Sequence, residues 1–133
     1  MFRVPFLMER MAPGSVGAAF NSAYLANYTQ SINYITQKGG WAVVDPHNFG
    51  RYGGNIITDV SAFGSFWTKL AAAFKDNAKV VCSLKTLCCV NTDSQQVFDT
   101  NNEYHDMDQK LVFDLNQVSI NSIRAAGATS RKS

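Results

Sequence analysis

The sequence of 133 residues predicts an α/β fold built on a parallel sheet. Three short apolar runs have the length of buried strands, and three longer stretches have the periodicity of amphipathic helices. Strand, loop and helix alternate along the chain, which is typical of parallel sheets covered by helices. Apolar residues make up 46% of the chain and charged residues 17%, so the composition supplies a core and is not that of a disordered chain.

The three predicted strands are brief, and each ends in polar or turn residues. They cover Phe2–Pro5, Ala42–Asp45 and Val97–Thr100. Ligands of parallel α/β folds bind beyond the carboxyl ends of the strands. The polar residues that follow these runs are therefore the first candidates for function.

Three helices are predicted between and after the strands. The first covers about Ser22 to Lys38 and ends at Gly39 and Gly40, where a glycine C-cap belongs. The second covers about 61 to 74, with Ser61 as its N-cap, and the third about 108 to 126, with Asp108 as its N-cap. Their apolar stripes predict core positions, which are Tyr28, Ile32, Ile35, Phe63, Phe66, Trp67, Leu70, Phe74, Leu111, Leu115, Val118 and Ile123.

Charge and hydropathy exclude several classes of partner. The net charge is +2 without a block of like charges, which argues against a nucleic-acid partner and a basic membrane-surface helix. No apolar run approaches about 18 residues, so no membrane-spanning helix is predicted. Pro5, Glu9 and Arg10 interrupt the amino-terminal segment, which therefore does not have the pattern of a signal peptide.

The cysteines do not form a recognisable framework. Cys82, Cys88 and Cys89 are odd in number and clustered, whereas a disulfide framework spreads an even number along the chain. Their spacing without a histidine is not a convincing zinc pattern either. We therefore predict neither a disulfide framework nor a metal site at these cysteines, and a redox or metal module built on them remains only a third alternative for function.

Ionisable and amide side chains are found within the first predicted strand and directly after the second and third. Arg3 lies in the first strand, His47 and Asn48 follow the second, and Asn102 and Glu103 follow the third. Glu103 is the strongest candidate, because a carboxylate crowded by polar groups at a strand end can have a shifted pKa. Structural roles stay open for Arg3, as an ion-pair partner, and for His47, as the cap of a turn.

Four segments, in this order, resemble fungal family 5 glycoside hydrolases, and among them the secreted endo-β-1,4-glucanases. The segments are 2–10 (FRVPFLMER), 45–52 (DPHNFGRY), 99–106 (DTNNEYHD) and 123–130 (IRAAGATS). The resemblance implies a (β/α)8 (TIM) barrel, of which residues 1–133 are a fragment with about strands 2 to 4 and their helices. It also implies retaining cleavage of β-glucan such as cellulose, secretion, no cofactor and no protein partner.

The same resemblance implies a role for each candidate residue. Glu103 is the general acid/base, and Asn102 hydrogen-bonds the sugar 2-hydroxyl. Arg3 is the arginine beside the nucleophile, His47 is an active-site histidine, and Asn48 supports the same cleft.

Retaining hydrolysis requires a second carboxylate about 5–5.5 Å from the first. The family's nucleophile, a glutamate after strand 7, has no counterpart in the chain, so we expect the chain alone to be inactive. The alternative is a non-catalytic truncated or mis-spliced product with at most weak carbohydrate binding. The same scaffold also serves mannan, xyloglucan and mixed-linkage glucan, and the choice among these substrates stays open.

Residues 81–96 make the separation between the second and third predicted strands longer than that between the first and second. Phe2 and Ala42 are 40 residues apart, whereas Ala42 and Val97 are 55 apart, and the surplus segment contains all three cysteines. Sixteen codons preserve the reading frame, and Val81 and Cys82 can be encoded by GTATGT, a common fungal intron donor. We therefore interpret 81–96 as a non-native insert, a translated intron, with a genuine surface loop as the alternative.

Overall fold

The computed structural model describes residues 1–82 and 106–128. In chain order its elements are β1 (Phe2–Phe6), α1 (Met8–Met11), α2 (Ser22–Gln37), β2 (Ala42–Pro46), β3 (Arg51–Tyr52), β4 (Asn55–Ile56), α3 (Val60–Phe74), β5 (Val80–Cys82) and α4 (Gln109–Ala125). Strands β1, β2 and β5 form a parallel sheet in that spatial order, and β3 and β4 form an antiparallel hairpin. The predicted α/β class with a parallel sheet is confirmed.

The first two predicted strands are confirmed, and each extends one residue further than predicted. The third, Val97–Thr100, lies outside the described residues. Among the described strands, β5 lies beside β2, with Val80 opposite Ala42 and Cys82 opposite Val44. Because α3 hands over to β5 at Val80, the sheet continues into the first two residues of the segment interpreted as an insert.

The three predicted helices are confirmed, with one wrong cap. Asp59, not Ser61, caps α3, because its carboxylate accepts the Ala62 N–H at 2.9 Å and starts the helix before Ser61. Asp108 caps α4 as predicted, and its carboxylate accepts the Leu111 N–H at 3.0 Å. Gly39, just beyond α2, has a φ of +87°, a backbone conformation that glycine adopts without strain.

The core lies between the sheet and the helices. Its buried apolar residues include Phe6, Met8, Met11, Tyr28, Ile32, Val44, Phe63, Phe66, Trp67, Leu70, Phe74, Val80 and Leu115. The stripe predicted on the second helix is buried in full. Gly64 lets α3 and α4 approach closely, since an added Cβ would lie 2.6 Å from Val118 Cγ2. Of the other positions predicted on the third helix, Leu111, Val118 and Ile123 pack against the core while partly buried.

Strand β1 is an edge strand of the described sheet, and its backbone groups alternate in direction. The Phe2 N–H donates to Trp41 O and Phe6 O accepts the His47 N–H, so Phe2, Val4 and Phe6 face β2. Arg3 and Pro5 then direct their backbone groups to the outer edge, where Pro5 has no N–H to offer.

Three features, α1, the β3–β4 hairpin and strand β5, were not predicted. The hairpin turns at Gly53 and Gly54, whose φ values of +57° and +81° are those of a two-residue type I′ turn. A glycine pair between short strand-like runs is a known hairpin signal, so this element could have been found. No helix in the described ranges has the length and apolarity needed to cross a bilayer.

Candidate active site

An ion pair with a buried carboxylate and a partly exposed guanidinium joins the first two strands. The parallel register places Arg3 opposite Val43 and Pro5 opposite Asp45. Arg3 and Asp45 therefore project from the same face of the sheet, and Arg3 Nε donates to Asp45 Oδ2 at 2.5 Å. The Asp45 side chain is fully buried, whereas that of Arg3 is 45% exposed. Asp45 was not predicted as a site residue.

His47 completes this cluster from the segment that follows β2. Its Nδ1 lies 2.9 Å from Arg3 Nη2 and 3.1 Å from Asp45 Oδ2. The side chain is 37% exposed, and among the described residues its Nε2 has no hydrogen-bond partner. One ring nitrogen is thus engaged by the ion pair and the other is available to a ligand. We call Arg3, Asp45 and His47 the open network.

The backbone beyond His47 turns sharply through a sparsely populated conformation. Phe49 has a φ of +53°, which is unusual for a bulky residue, and Gly50 follows with +72°. The Phe49 ring packs edge-on against the imidazole of His47, with centroids 4.6 Å apart. Strained backbone held by its surroundings is frequent at functional sites, and here it fixes one side of the histidine ring.

Asn48 belongs to a different cluster. Its Oδ1 accepts the Met8 N–H at 2.8 Å, and its Nδ2 donates to both carboxylate oxygens of Glu9, at 3.0 and 2.9 Å. Glu9 Oε1 also accepts the Gly53 N–H of the hairpin at 2.5 Å. Glu9, Asn48 and Gly53, together with the start of α1, form what we call the closed network.

The environment of Glu9 acts on its pKa in two directions. Partial burial favours the neutral carboxyl and raises the pKa, but the hydrogen bonds from Gly53 and Asn48 favour the carboxylate. The net result is a pKa below the ordinary value of 4.5. Glu9 is therefore held as a carboxylate that ties α1 to the hairpin.

The structure brings together only part of the predicted site. Arg3 and His47 meet through Asp45, while Asn48 lies beside them in the closed network. Glu103 and Asn102 lie outside the described residues. Asp45 could have been found by placing the two predicted strands in parallel register, because it then falls on the face that carries Arg3.

Cys82 is the cysteine that the structure describes, and it packs partly buried against the core. Burial raises the pKa of the Cys82 thiol to about 11, so the thiol stays protonated near neutral pH and is a weak nucleophile and metal ligand. Within residues 1–82 and 106–128, no three histidine, cysteine or acidic side chains are grouped so as to hold a metal ion.

Comparisons with known proteins agree on one family. Residues 1–85 match the family described as Cellulase (glycosyl hydrolase family 5). The chain is 57% identical over 131 residues to Endoglucanase 3 of Humicola insolens and 50% identical to a probable endo-beta-1,4-glucanase B of Neosartorya fischeri. These alignments cover 98% of the chain but only 30% and 35% of the two relatives.

A solved structure extends the likeness to the fold. Cel5A (EG2) from Hypocrea jecorina superposes with a TM-score of 0.78 at 25% identity, over 98% of the chain and 36% of that protein. The chain thus spans about a third of the length of the proteins that it matches.

Proposed function

Because the chain belongs to the cellulase family, glycosyl hydrolase family 5, we propose that it forms part of the catalytic domain of an endo-β-1,4-glucanase. Its fold is that of a partial (β/α)8 barrel. The observation that carries the proposal is the open network, in which the Arg3 side chain of β1 reaches Asp45 and His47 at the carboxyl end of the adjacent parallel strand β2. Active sites of (β/α)8 barrels lie at that end of the strands.

The proposed chemistry is retaining hydrolysis of internal β-1,4-glucosidic bonds. Glu103 protonates the leaving glycosidic oxygen and then activates the water, and Asn102 hydrogen-bonds the sugar 2-hydroxyl as charge develops on the ring. Arg3 supplies fixed positive charge that favours an ionised nucleophile, and His47 binds a sugar oxygen. Asn48 supports the same cleft by positioning the adjoining loop through the closed network.

The 133-residue chain alone is proposed to be inactive. Retaining hydrolysis needs two carboxylates about 5–5.5 Å apart, and the chain supplies one by resemblance, Glu103. What remains is weak binding of β-glucan at the open network. Because a cellulose-like polymer cannot enter a cell, the complete enzyme is proposed to act after secretion.

Residues 81–96 are proposed to be a translated intron. Excision reduces the second strand spacing from 55 to 39 residues, close to the 40 of the first. It would also bring Val97 and Phe98 into the register positions of Val81 and Cys82, opposite Val43 and Val44. Glu103 follows the predicted strand Val97–Thr100 by three residues, as His47 follows the predicted strand Ala42–Asp45 by two.

The transcript tests the insert directly. Mature messenger RNA sequenced across these codons is expected to lack those for residues 81–96. A transcript that retains them would make the segment a genuine part of the protein and would refute the intron.

Hydrolysis of carboxymethylcellulose tests the enzyme. The 133-residue chain is expected to release no sugar, and the protein encoded by the mature transcript is expected to be active. Activity of that protein should be lost in Glu103→Gln and kept in the control variant Asp76→Asn, which removes a carboxylate from the exposed surface. Activity that survives Glu103→Gln would remove the proposed acid/base, and inactivity of the wild-type protein would contradict the proposed function.

A further inference from the structure

We propose that Asn27, on the outer face of α2, is an N-glycosylation site that carries an oligosaccharide on its side-chain nitrogen. Asn27, Tyr28 and Thr29 form the acceptor pattern, an asparagine followed two residues later by serine or threonine, with a residue other than proline between them. The sequence has eleven asparagines, and Asn27 alone has this pattern. That the chain meets the modifying enzyme rests on the proposed secretion, whereas the exposure of the site does not.

The structure leaves the Asn27 side chain exposed and without a hydrogen bond. Tyr28 and Ile32 are buried on the inner face of α2, whereas Asn27 is exposed. Ser31 Oγ donates to the backbone oxygen of Asn27, and within the described ranges the side-chain amide of Asn27 makes no hydrogen bond. Attachment of a sugar to Nδ2 therefore breaks no hydrogen bond of the described fold.

The helix surface beside Asn27 has room for the first sugar. Side chains of a helix lean towards its amino terminus, so a group on Asn27 lies over the preceding turn, at Ala23. Ala23 is exposed, and its side chain is a single methyl group. An oligosaccharide at Asn27 therefore extends into solvent without displacing a packed side chain.

Asn27 stays accessible even when α2 is flanked by helices on both sides. Relative to Ile32, at the centre of the buried face, Ala26 is rotated about 120° one way around the helix and Asn27 about 140° the other way. Ala26 lies on the side where Thr36 accepts a hydrogen bond from Asn77, just beyond α3, and it is nonetheless exposed. A helix packed on the opposite side, beside the outer edge of β1, would leave Asn27 exposed for the same reason.

The outer face of α2 carries no charge. Residues 22–37 contain no charged side chain, and Tyr34 on the outer face is 66% exposed. Surface helices of globular proteins present charged and polar side chains to water. A hydrophilic oligosaccharide at Asn27 would add hydration to a face that otherwise meets water only through amides, hydroxyls and small apolar groups.

The modification has to precede formation of the helix. Asn27 and Thr29 are rotated by about 200° from each other around the helix axis, so their side chains lie on different sides of α2. An enzyme that binds both side chains therefore meets this segment before α2 forms. In the transfer, Asn27 Nδ2 forms a bond to C1 of an oligosaccharide that is linked to a lipid pyrophosphate. The bond from C1 to the pyrophosphate oxygen breaks, the lipid pyrophosphate leaves with the electron pair, and the amide nitrogen loses one proton.

Translation in the presence of microsomal membranes tests the site on the full chain. The 133-residue chain behind a cleavable secretory signal is expected to give one heavier band, which a peptide N-glycosidase converts back. The heavier band should be absent in Asn27→Gln and in Thr29→Val, which removes the hydroxyl and keeps the shape of the side chain. Asn33→Gln, on the same helix and outside the pattern, should keep it. A wild-type chain that enters the membranes, as shown by protection from added protease, and stays unshifted would overturn the proposal, as would a shift that persists in Asn27→Gln.

The protein encoded by the mature transcript separates this inference from the proposed function. Protein recovered from the culture medium with Asn27 unmodified, as measured by peptide mass spectrometry, would overturn the glycan and leave secretion intact. Absence from the medium together with a shifted band in microsomes would contradict the proposed secretion and leave the site intact. Because Asn27 is exposed, the glycosidase should release the glycan without denaturant, and release only after denaturation would contradict the outward position.

Discussion

Two carboxylates lie close to the carboxyl ends of adjacent strands, and the protein uses them differently. In the closed network, both oxygens of Glu9 accept hydrogen bonds from neutral donors of Asn48 and Gly53. In the open network, one oxygen of the fully buried Asp45 accepts from Arg3 and lies beside His47. Neighbours in sequence, His47 and Asn48 thus belong to separate clusters.

The two networks differ in whether their side chains have unused hydrogen-bonding atoms. Both polar atoms of the Asn48 amide are bonded within the protein, so this residue fixes the segment that follows β2. His47 uses one nitrogen to hold its orientation, and the other has no hydrogen-bond partner among the described residues. A polar side chain at a strand end is therefore a candidate for binding only when a donor or acceptor remains unused.

Removing Arg3, the cation of the open network, should have the largest effect on the free energy of unfolding. Arg3→Met leaves Asp45 buried and uncompensated, and we expect it to lower the free energy of unfolding by about 3–5 kcal/mol. Asp45→Asn leaves Arg3, which water can reach, and should lower it by about 1–2 kcal/mol. Urea denaturation of both variants measures the difference. A larger loss for Asp45→Asn would mean that burial of the carboxylate is not what makes this network costly to break.

His47 and Asn48, which are adjacent in sequence, allow a sharper comparison of the two networks. Asn48→Ala removes the acceptor of the Met8 N–H and a donor to Glu9, and should lower the free energy of unfolding by about 2 kcal/mol. His47→Ala removes a partly exposed ring and should lower it by less than about 1 kcal/mol. Urea midpoints of the two variants rank them, and the reverse order would assign the structural role to His47.

The pH dependence of Glu9 should give the smallest effect. Because the folded-state pKa of Glu9 lies below 4.5, its carboxylate stabilises the fold above that pH, and the contribution is lost as the pH falls through the lowered pKa. Glu9→Gln should lower the free energy of unfolding by about 1 kcal/mol at pH 7, and the difference from wild type should shrink towards pH 3.

Thermal unfolding of both proteins from pH 3 to pH 7 measures this difference. Asp76→Asn, on the exposed surface, reports the effect of net charge alone. A Glu9→Gln difference that stays constant with pH would show that the charge of Glu9 does not strengthen the closed network.

Most of the fold could be predicted from patterns within single elements. The site could be predicted only in part, because it depends on contacts between residues far apart in the chain. The stripe from Phe63 to Phe74 is a property of one helix, so its burial follows from spacing alone. Asp59 and Ser61 are both good N-caps two residues apart, and only the backbone conformation decides between them.

The site depends on contacts across the chain. Arg3 meets Asp45 only when the register of two strands is known, and Glu9 meets Asn48 across 39 residues. No periodicity within one element indicates such pairs, so the roles of these residues came from resemblance, and Asp45 and Glu9 were missed.

The proline in β1 leaves a gap in the row of N–H donors along the outer edge of the described sheet. An exposed edge strand can template the addition of a strand from another molecule, and Phe2 beside it is 59% exposed, which adds an apolar surface to such a contact. Along the outer edge, alternate residues would supply the N–H groups, and Pro5 removes one of them. Replacing Pro5 with an ordinary residue would restore an N–H at this position of the outer edge and is expected to favour the addition of a strand from another molecule.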